Sequence, residues 1–321
     1  MWQTSLKNCV TNIHTLAELL QLDPRKLMGA EKASEDFALR VPREFIARMQ
    51  PGNYRDPLLL QVLPQGRELQ IIPGYNADPL LEKKFNPVPG LLHKYHGRVL
   101  MILAGSCAIN CRYCFRRHFP YYENNPNTQH WQAVLNYIAK NSNIEEVILS
   151  GGEPLLLKDE LLQDLFERLA KIAHVTTVRF HTRLPIVIPA RITPALVKLL
   201  KNTRLKVVMV VHSNHAQELD DSVATALAKL DSVTLLNQAV LLRHINDSVE
   251  AMVQLCKRLW TIGVLPYYVH MLDPVQGTAH FQVTKTKAVK LMQEVQARLP
   301  GYLVPRLVQE IANTQSKTRI Y

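Results

Sequence analysis

The sequence predicts an α/β chain whose central part is a partial barrel or an open doubly wound sheet built from six strand–helix units. Short apolar runs recur from Arg98 onward: RVLMILAG, EEVILSGG, VTTVRFHT, LKVVMVVH, VTLLNQAVL and VLPYYVHML. Between them lie amphipathic stretches with apolar residues three and four apart. The units repeat about every 30 residues, so the strands run parallel with right-handed crossovers. Composition agrees: 47% apolar and 20% charged residues in a chain of 321 argue for a packed globule and against a disordered or fibrous protein.

In chain order, residues 1–90 read as a helical and irregular extension. A helix is expected around His14 to Leu22 and another around Arg43 to Met49, followed by a proline-punctuated connection through Pro73, Pro79 and Pro89. Residues 91–285 are the strand–helix core, with helices read in WQAVLNYIAK, LLQDLFERLAKIA, PALVKLLK, SVATALAKL and SVEAMVQLCKRLWTIG. Residues 286–321 are a short C-terminal segment. The opening residues lack the charged and continuously apolar regions of a secretory signal, and no run of about 18 apolar residues occurs, so a cytoplasmic, membrane-free protein is expected. The net charge of +11 is scattered, with no block of five basic residues, which reads as a solvated basic surface.

In such folds the reactive face lies where the strands end. At the ends of the six runs stand Cys107 with Cys111 and Cys114, then Gly151, Gly152 and Glu153, then His181 and Arg183, then His212, Asn214 and His215, then Asn237 and Gln238, and last Asp273. Ligand-capable side chains in the same topological position six times over imply one shared site.

Five cysteines, an odd number with three inside eight residues, do not form a secreted disulfide framework; they point to a reducing compartment and a metal. The segment AGSCAINCRYCFRR spaces Cys107, Cys111 and Cys114 as C-x3-C-x2-C. A structural zinc would need a fourth ligand, for which His118 is the nearby choice. Three thiolates on a four-iron, four-sulfur cluster instead leave one iron open for chemistry. Cys9 and Cys256 read as buried or half-buried thiols without a role.

This spacing, with Tyr113 directly before the last cysteine, resembles the radical S-adenosylmethionine enzymes, and Ser150-Gly151-Gly152-Glu153, 39 residues beyond Cys114, is similar to that family's GGE-type motif. The resemblance implies a partial (βα)6 barrel in which the open iron chelates S-adenosylmethionine and cleaves it to a deoxyadenosyl radical. It also implies that the glycines approach the methionine moiety and that Glu153 accepts from its ammonium, with His212 and Gln238 near the same ligand. The blocks PGLLHKYHGRVLMILAGSCAINCRYCFRRHFPY, VILSGGEPLL, RLPIVIPARIT, HSNH, LLNQAVLLRHIND and YYVHMLDPVQGTAHF narrow the resemblance to the lysine 2,3-aminomutase family. CRYCFRRHFPY, LPIVIPARIT and GYLVPRL are most similar to its short branch, which supplies β-lysine for modifying translation elongation factor P.

That family implies pyridoxal phosphate held as a Schiff base by a lysine near the C-terminus. Lys317, seven residues after Glu310 in GYLVPRLVQEIANTQSK, is the matching residue, although Ala312, Asn313 and Thr314 stand where the family has a glycine-rich stretch. By the same resemblance, Arg116 clamps the substrate carboxylate, Asp273 and Glu310 hold its distal ammonium, and Lys94 and Tyr95 take the cofactor phosphate with Arg98 and Arg183 as lesser contributors. Arg117 reads as an ion-paired neighbour. The implied reaction is transfer of the lysine amino group from C2 to C3. Its implied partners are a reductant such as flavodoxin or ferredoxin and an elongation factor P lysyl-ligase, and the reading is compatible with a homo-oligomer. The competing readings are a 2,3-aminomutase for glutamate or arginine, and a basic, zinc-stabilised nucleic-acid-binding protein. Asp273 opposes glutamate, an acid it would repel; the nucleic-acid-binding reading lacks an aromatic-interleaved basic patch.

Overall fold

A computed structural model describes residues 2–124 and 128–321. Its centre is one nine-stranded sheet in which every strand neighbours the next in sequence: β1 (Leu91–Tyr95), β2 (Arg98–Ala104), β3 (Glu146–Gly151), β4 (Thr177–Thr182), β5 (Lys206–His212), β6 (Thr234–Val240), β7 (Leu265–His270), β8 (Arg306–Gln309) and β9 (Thr318–Arg319). From β2 to β8 all pairings are parallel, and β1 and β9 add antiparallel at the two edges. The six expected runs are β2 to β7, so the α/β class and the partial-barrel order hold. The chain's order in the sheet never reverses, which excludes the doubly wound alternative with its switch point.

Helices cover the outer face at Thr128–Lys140, Asp159–Ala170, Pro194–Lys201, Asp221–Leu227, Val249–Thr261 and Lys285–Arg298. Their starts carry local signals: Thr193, Asp220, Ser248 and Thr284 each accept a backbone N–H three residues on. Each buries one stripe, as in Leu162, Leu165, Phe166 and Leu169, or Met252, Leu255, Cys256 and Leu259. Cys256 is thus a core thiol, pushed up to about 12 by burial. Among the described residues no helix is long and apolar enough to cross a membrane.

Several boundaries differ from expectation. The N-terminal helices are shorter, Ile13–Leu19 and Arg43–Ile46. Three strands were not expected. β1 places Lys94 and Tyr95 on a strand, and β8 and β9 turn the C-terminal segment into part of the sheet. A division after residue 285 falls inside the helix Lys285–Arg298, which packs on Val249–Thr261 and completes the sixth crossover. Nor is the extension a separate body, since Leu16, Phe45, Leu58 and Leu59 share the barrel's core cluster. It also braces the cysteine loop. The fully buried Arg112 guanidinium donates to both Glu68 oxygens, at 2.6 and 3.0 Å among its contacts, and to the Phe37 and Ala33 carbonyls. Cys9 Sγ lies 3.6 Å from the Ala108 carbonyl it donates to.

Candidate active site

Every residue assigned above to a cluster, cofactor or substrate lines a single cavity of about 710 Å³ at the carboxyl ends of the strands. Of the strand-end and motif residues, Asn214, His215, Asn237 and Arg117 do not line it. Asn214 is fully buried, donating to Gln61 and Tyr113, while Arg117 pairs with Glu68 and Asp36.

One end of the cavity is built by the loop after β2. Gly152 N–H donates to the Ala104 carbonyl at 2.7 Å and Glu153 N–H to the Ser106 carbonyl at 2.9 Å, so the end of β3 lies flat against the segment that carries Cys107. A Cβ at Gly152 would meet Ser106 O at 2.3 Å, and Gly151, at φ +110°, would meet Ala104 O at 2.8 Å. The glycine pair is therefore required by the protein's own cysteine loop. The expectation for Glu153 needs correction as well. One of its oxygens accepts from Leu155 N–H and the Thr182 hydroxyl, the other from the N–H groups of Arg183 and Leu184, at 2.6 to 3.0 Å. Four contacts fill a carboxylate's capacity, so Glu153 ties β3 to β4 and has no lone pair left for an ammonium.

Burial, with the neighbouring thiols and Glu153, drives Cys107 well above its ordinary value, and Cys114 is pushed up to about 11 by burial and then Cys111. Cys107 and Cys114 thus resist ionising unless a cationic group compensates them. Among the described residues no three His, Cys, Asp or Glu side chains converge on a single ion, and His118 contacts the Gln276 carbonyl instead of joining the thiols. This spacing does not suit a one-ion zinc site. A larger group with several metal atoms fits the all-thiol donor set.

Arg183 also departs from expectation. Its Nη1 donates to Cys111 Sγ and the Tyr113 hydroxyl, both at 2.7 Å, and its Nη2 to Gln61 at 2.6 Å and Glu218 at 3.0 Å. A guanidinium spent on the thiol side is not a phosphate ligand. Tyr113 also contacts His212 Nε2 at 2.7 Å and stacks on its ring. The buried set of Tyr113, Gln61 and Glu218 was not read from the sequence, because Gln61 and Glu218 lie far from the cysteine motif and carry no motif of their own.

The other end of the cavity joins the two edges of the sheet. Lys94 Nζ and the Tyr95 hydroxyl, on β1, both donate to Glu310 Oε1, at 3.0 and 2.7 Å; Glu310 Oε2 lies 3.6 Å from Lys317 Nζ. Strands that share no backbone ladder are thus bridged by side chains. This corrects the phosphate assignment of Lys94 and Tyr95 in this state: both are engaged by Glu310. Arg98 stacks on Tyr95 and has no carboxylate partner among the described residues, which makes it the better placed cation.

Lys317 is not on a frayed tail. Thr318 and Arg319 pair with Gln309 and Val308, and Ile320 N–H donates to Leu307 O at 2.9 Å. The intervening turn needs one left-handed residue, and Asn313 supplies it at φ 64° in place of a glycine. Burial lowers the Lys317 amine against the opposing pull of Glu310 and Asp273, and its Nζ sits 5.4 Å above the Tyr268 ring. Burial disfavours the ammonium form of this amine, which makes it the better nucleophile for a carbonyl. Burial would raise Glu310, but Lys317, Lys94 and Tyr95 hold it at about 2, whereas burial and the Glu310 charge push Asp273 up to about 7. His181 and His270, also in the wall, have no hydrogen-bond partner among the described residues for their buried Nε2 atoms. Desolvation, with Arg179 and Lys317 near one and Lys317 near the other, keeps both rings neutral. Unpartnered polar groups, a carbonyl-reactive amine and a free arginine suit a polar ring bearing an aldehyde and a phosphate.

The chain matches the radical SAM superfamily model over residues 101–216. It is 50% identical over 320 residues to the L-lysine 2,3-aminomutase of Escherichia coli (strain K12), with 99% of this chain and 93% of that protein covered. The protein of the same name from Haemophilus influenzae is 47% identical, covering 99% and 94%. That from Clostridium subterminale is 31% identical, covering 99% of this chain and 77% of the longer relative.

Proposed function

The chain belongs to the L-lysine 2,3-aminomutase family of radical SAM enzymes, and on that premise we propose that it converts L-lysine to β-lysine by moving the amino group from C2 to C3. It is an isomerase that uses a four-iron, four-sulfur cluster and S-adenosylmethionine; pyridoxal phosphate is part of the proposal. When bound, these groups supply a carbon-centred radical and an electron-withdrawing ring for the migrating nitrogen.

The chain's own residues do the rest. Cys107, Cys111 and Cys114 hold the cluster, Arg183 places a positive N–H on the Cys111 sulfur, and the Gly151–Gly152 turn, His212 and Gln238 shape the S-adenosylmethionine side. Lys317 binds the carbonyl of pyridoxal phosphate, and Arg98 receives its phosphate. Arg116 takes the substrate carboxylate. Asp273 and Glu310 take the distal ammonium, a charge-assisted pairing that an acidic side chain would turn into repulsion. The observation that carries the reading is that one cavity gathers the thiols, Arg116 and the Asp273–Glu310–Lys317 group, so that both cofactors and the substrate would meet in one place.

The same proposal places the protein in the cytoplasm, with a flavodoxin or ferredoxin as reductant and β-lysine passing to an elongation factor P lysyl-ligase. The deciding experiment is mass spectrometry of free amino acids after anaerobic incubation with S-adenosylmethionine, pyridoxal phosphate and a reductant. β-Lysine is expected from lysine. Turnover of glutamate or arginine with none of lysine would overturn the substrate.

A further inference from the structure

We propose that Glu82 is a positioning residue for recognition of the substrate carboxylate: it grips the Arg116 guanidinium along one side so that the other edge is presented to the substrate. The inference rests on the assignment of Arg116 to that carboxylate. Glu82 belongs to the N-terminal extension, outside every motif of the barrel, yet it lines the cavity. Its Oε2 accepts from Arg116 Nε at 2.8 Å and its Oε1 from Nη2 at 2.6 Å, while Ser150 Oγ accepts from Nη1 at 3.3 Å. A guanidinium carries five N–H groups. These contacts use three of them, leaving one on Nη1 and one on Nη2 to meet a planar carboxylate.

The remaining freedom of the guanidinium is also removed. Phe115 and Phe119 lie 4.8 and 5.9 Å from it, and both partners of the ion pair are buried, with 7% and 13% side-chain exposure. Glu82 is itself held. Its backbone N–H donates to Asp78 Oδ1 at 3.0 Å, and Asn76 exchanges backbone hydrogen bonds with Pro274 and Gln276, next to Asp273. The preceding residue, Leu81, sits at φ 53°, a strained conformation for leucine that persists only where surrounding contacts enforce it. The segment is thus aimed, and what it aims is Arg116.

The test is equilibrium binding of lysine and of lysine amide, without reductant, to the cluster- and pyridoxal-phosphate-loaded protein and its variants, with iron and cofactor content measured on each. The wild type is expected to favour lysine over the amide. Glu82→Ala should weaken lysine on the order of tenfold while leaving the amide nearly unchanged, because a charge-assisted contact is lost only for the carboxylate. Glu82→Gln, which keeps one acceptor on the side of the fork, should recover part of the loss. Equal weakening of both ligands would reduce Glu82 to a structural residue, and tighter binding of lysine would make it a competitor for Arg116; either overturns the proposal. If Arg116→Ala leaves the preference for lysine over the amide intact, it is the carboxylate assignment that fails.

Discussion

The two ends of the cavity are made in opposite ways. The thiol end is written locally: three cysteines within eight residues follow one strand, and the Gly151–Gly152 turn of the adjacent strand packs directly on their loop. The amine end is assembled from β1, the loop after β7 and the turn between β8 and β9, and the Lys94–Glu310 and Tyr95–Glu310 contacts join β1 to the start of that turn. A local site tolerates change elsewhere in the chain, whereas a site made by closure depends on every element that bends the sheet. The two ends should therefore be separable by substitution, and this can be tested.

The largest effects should come from removing the reactive atoms. Cys107→Ala should abolish the brown iron chromophore of anaerobically purified protein and bring β-lysine formation below detection, while borohydride still traps pyridoxal phosphate on Lys317. The reciprocal variant, Lys317→Ala, should lose the trapped adduct and keep the iron absorption. Loss of both signals in either variant would show that the ends are not independent, and a full-yield adduct in Lys317→Ala would point to a different lysine. A colourless, zinc-loaded wild type would remove the cluster altogether.

The same division explains what the sequence revealed. β2 to β7 were legible because each is a continuous apolar run flanked by helical periodicity, the pattern of strands buried on both faces. β1 and β8 were missed because LLHKY and RLVQ are short edge-side segments carrying cavity-facing or exposed polar residues, so neither shows a run. The cysteine motif was legible because its chemistry is contiguous. Glu153 and Arg183 were placed in the right region with the wrong partners, since spacing says where a side chain starts and not which neighbour saturates it. Glu82 and Arg112 act through pairings between the extension and the cysteine loop, and no periodicity encodes such a pairing.

Closure can be weakened without touching a reactive atom. Glu310→Ala leaves the Lys94 and Lys317 ammoniums facing each other across the seam, and removing one member of a buried pair costs about 3 kcal/mol. Denaturant unfolding should show that loss, and limited proteolysis should open the segment after residue 305 first, because the β8–β9 turn loses its tie to β1. Iron content should remain at the wild-type level. A variant as stable as the wild type would mean that backbone pairing of β9 alone fixes the lysine.

The smallest effect is a titration. Asp273 is held near 7 by burial and by the Glu310 charge, above the ordinary carboxylate range. The native carboxyl therefore binds its proton more tightly than the unfolded one; its contribution favours the fold at acidic pH and is lost as pH rises from the ordinary range through about 7. Substrate binding has the opposite sign, because a lysine ammonium prefers the ionised carboxylate and its arrival expels the proton. With the catalytic cofactors saturating, kcat/KM for lysine should rise between about pH 6 and 8 and then level. Asp273→Asn should lower kcat/KM and flatten that limb, whereas Glu310, already ionised at about 2, should contribute no limb in this range. A limb unchanged in Asp273→Asn would assign the titration to another group and leave the amine end without a proton to release when the cation binds.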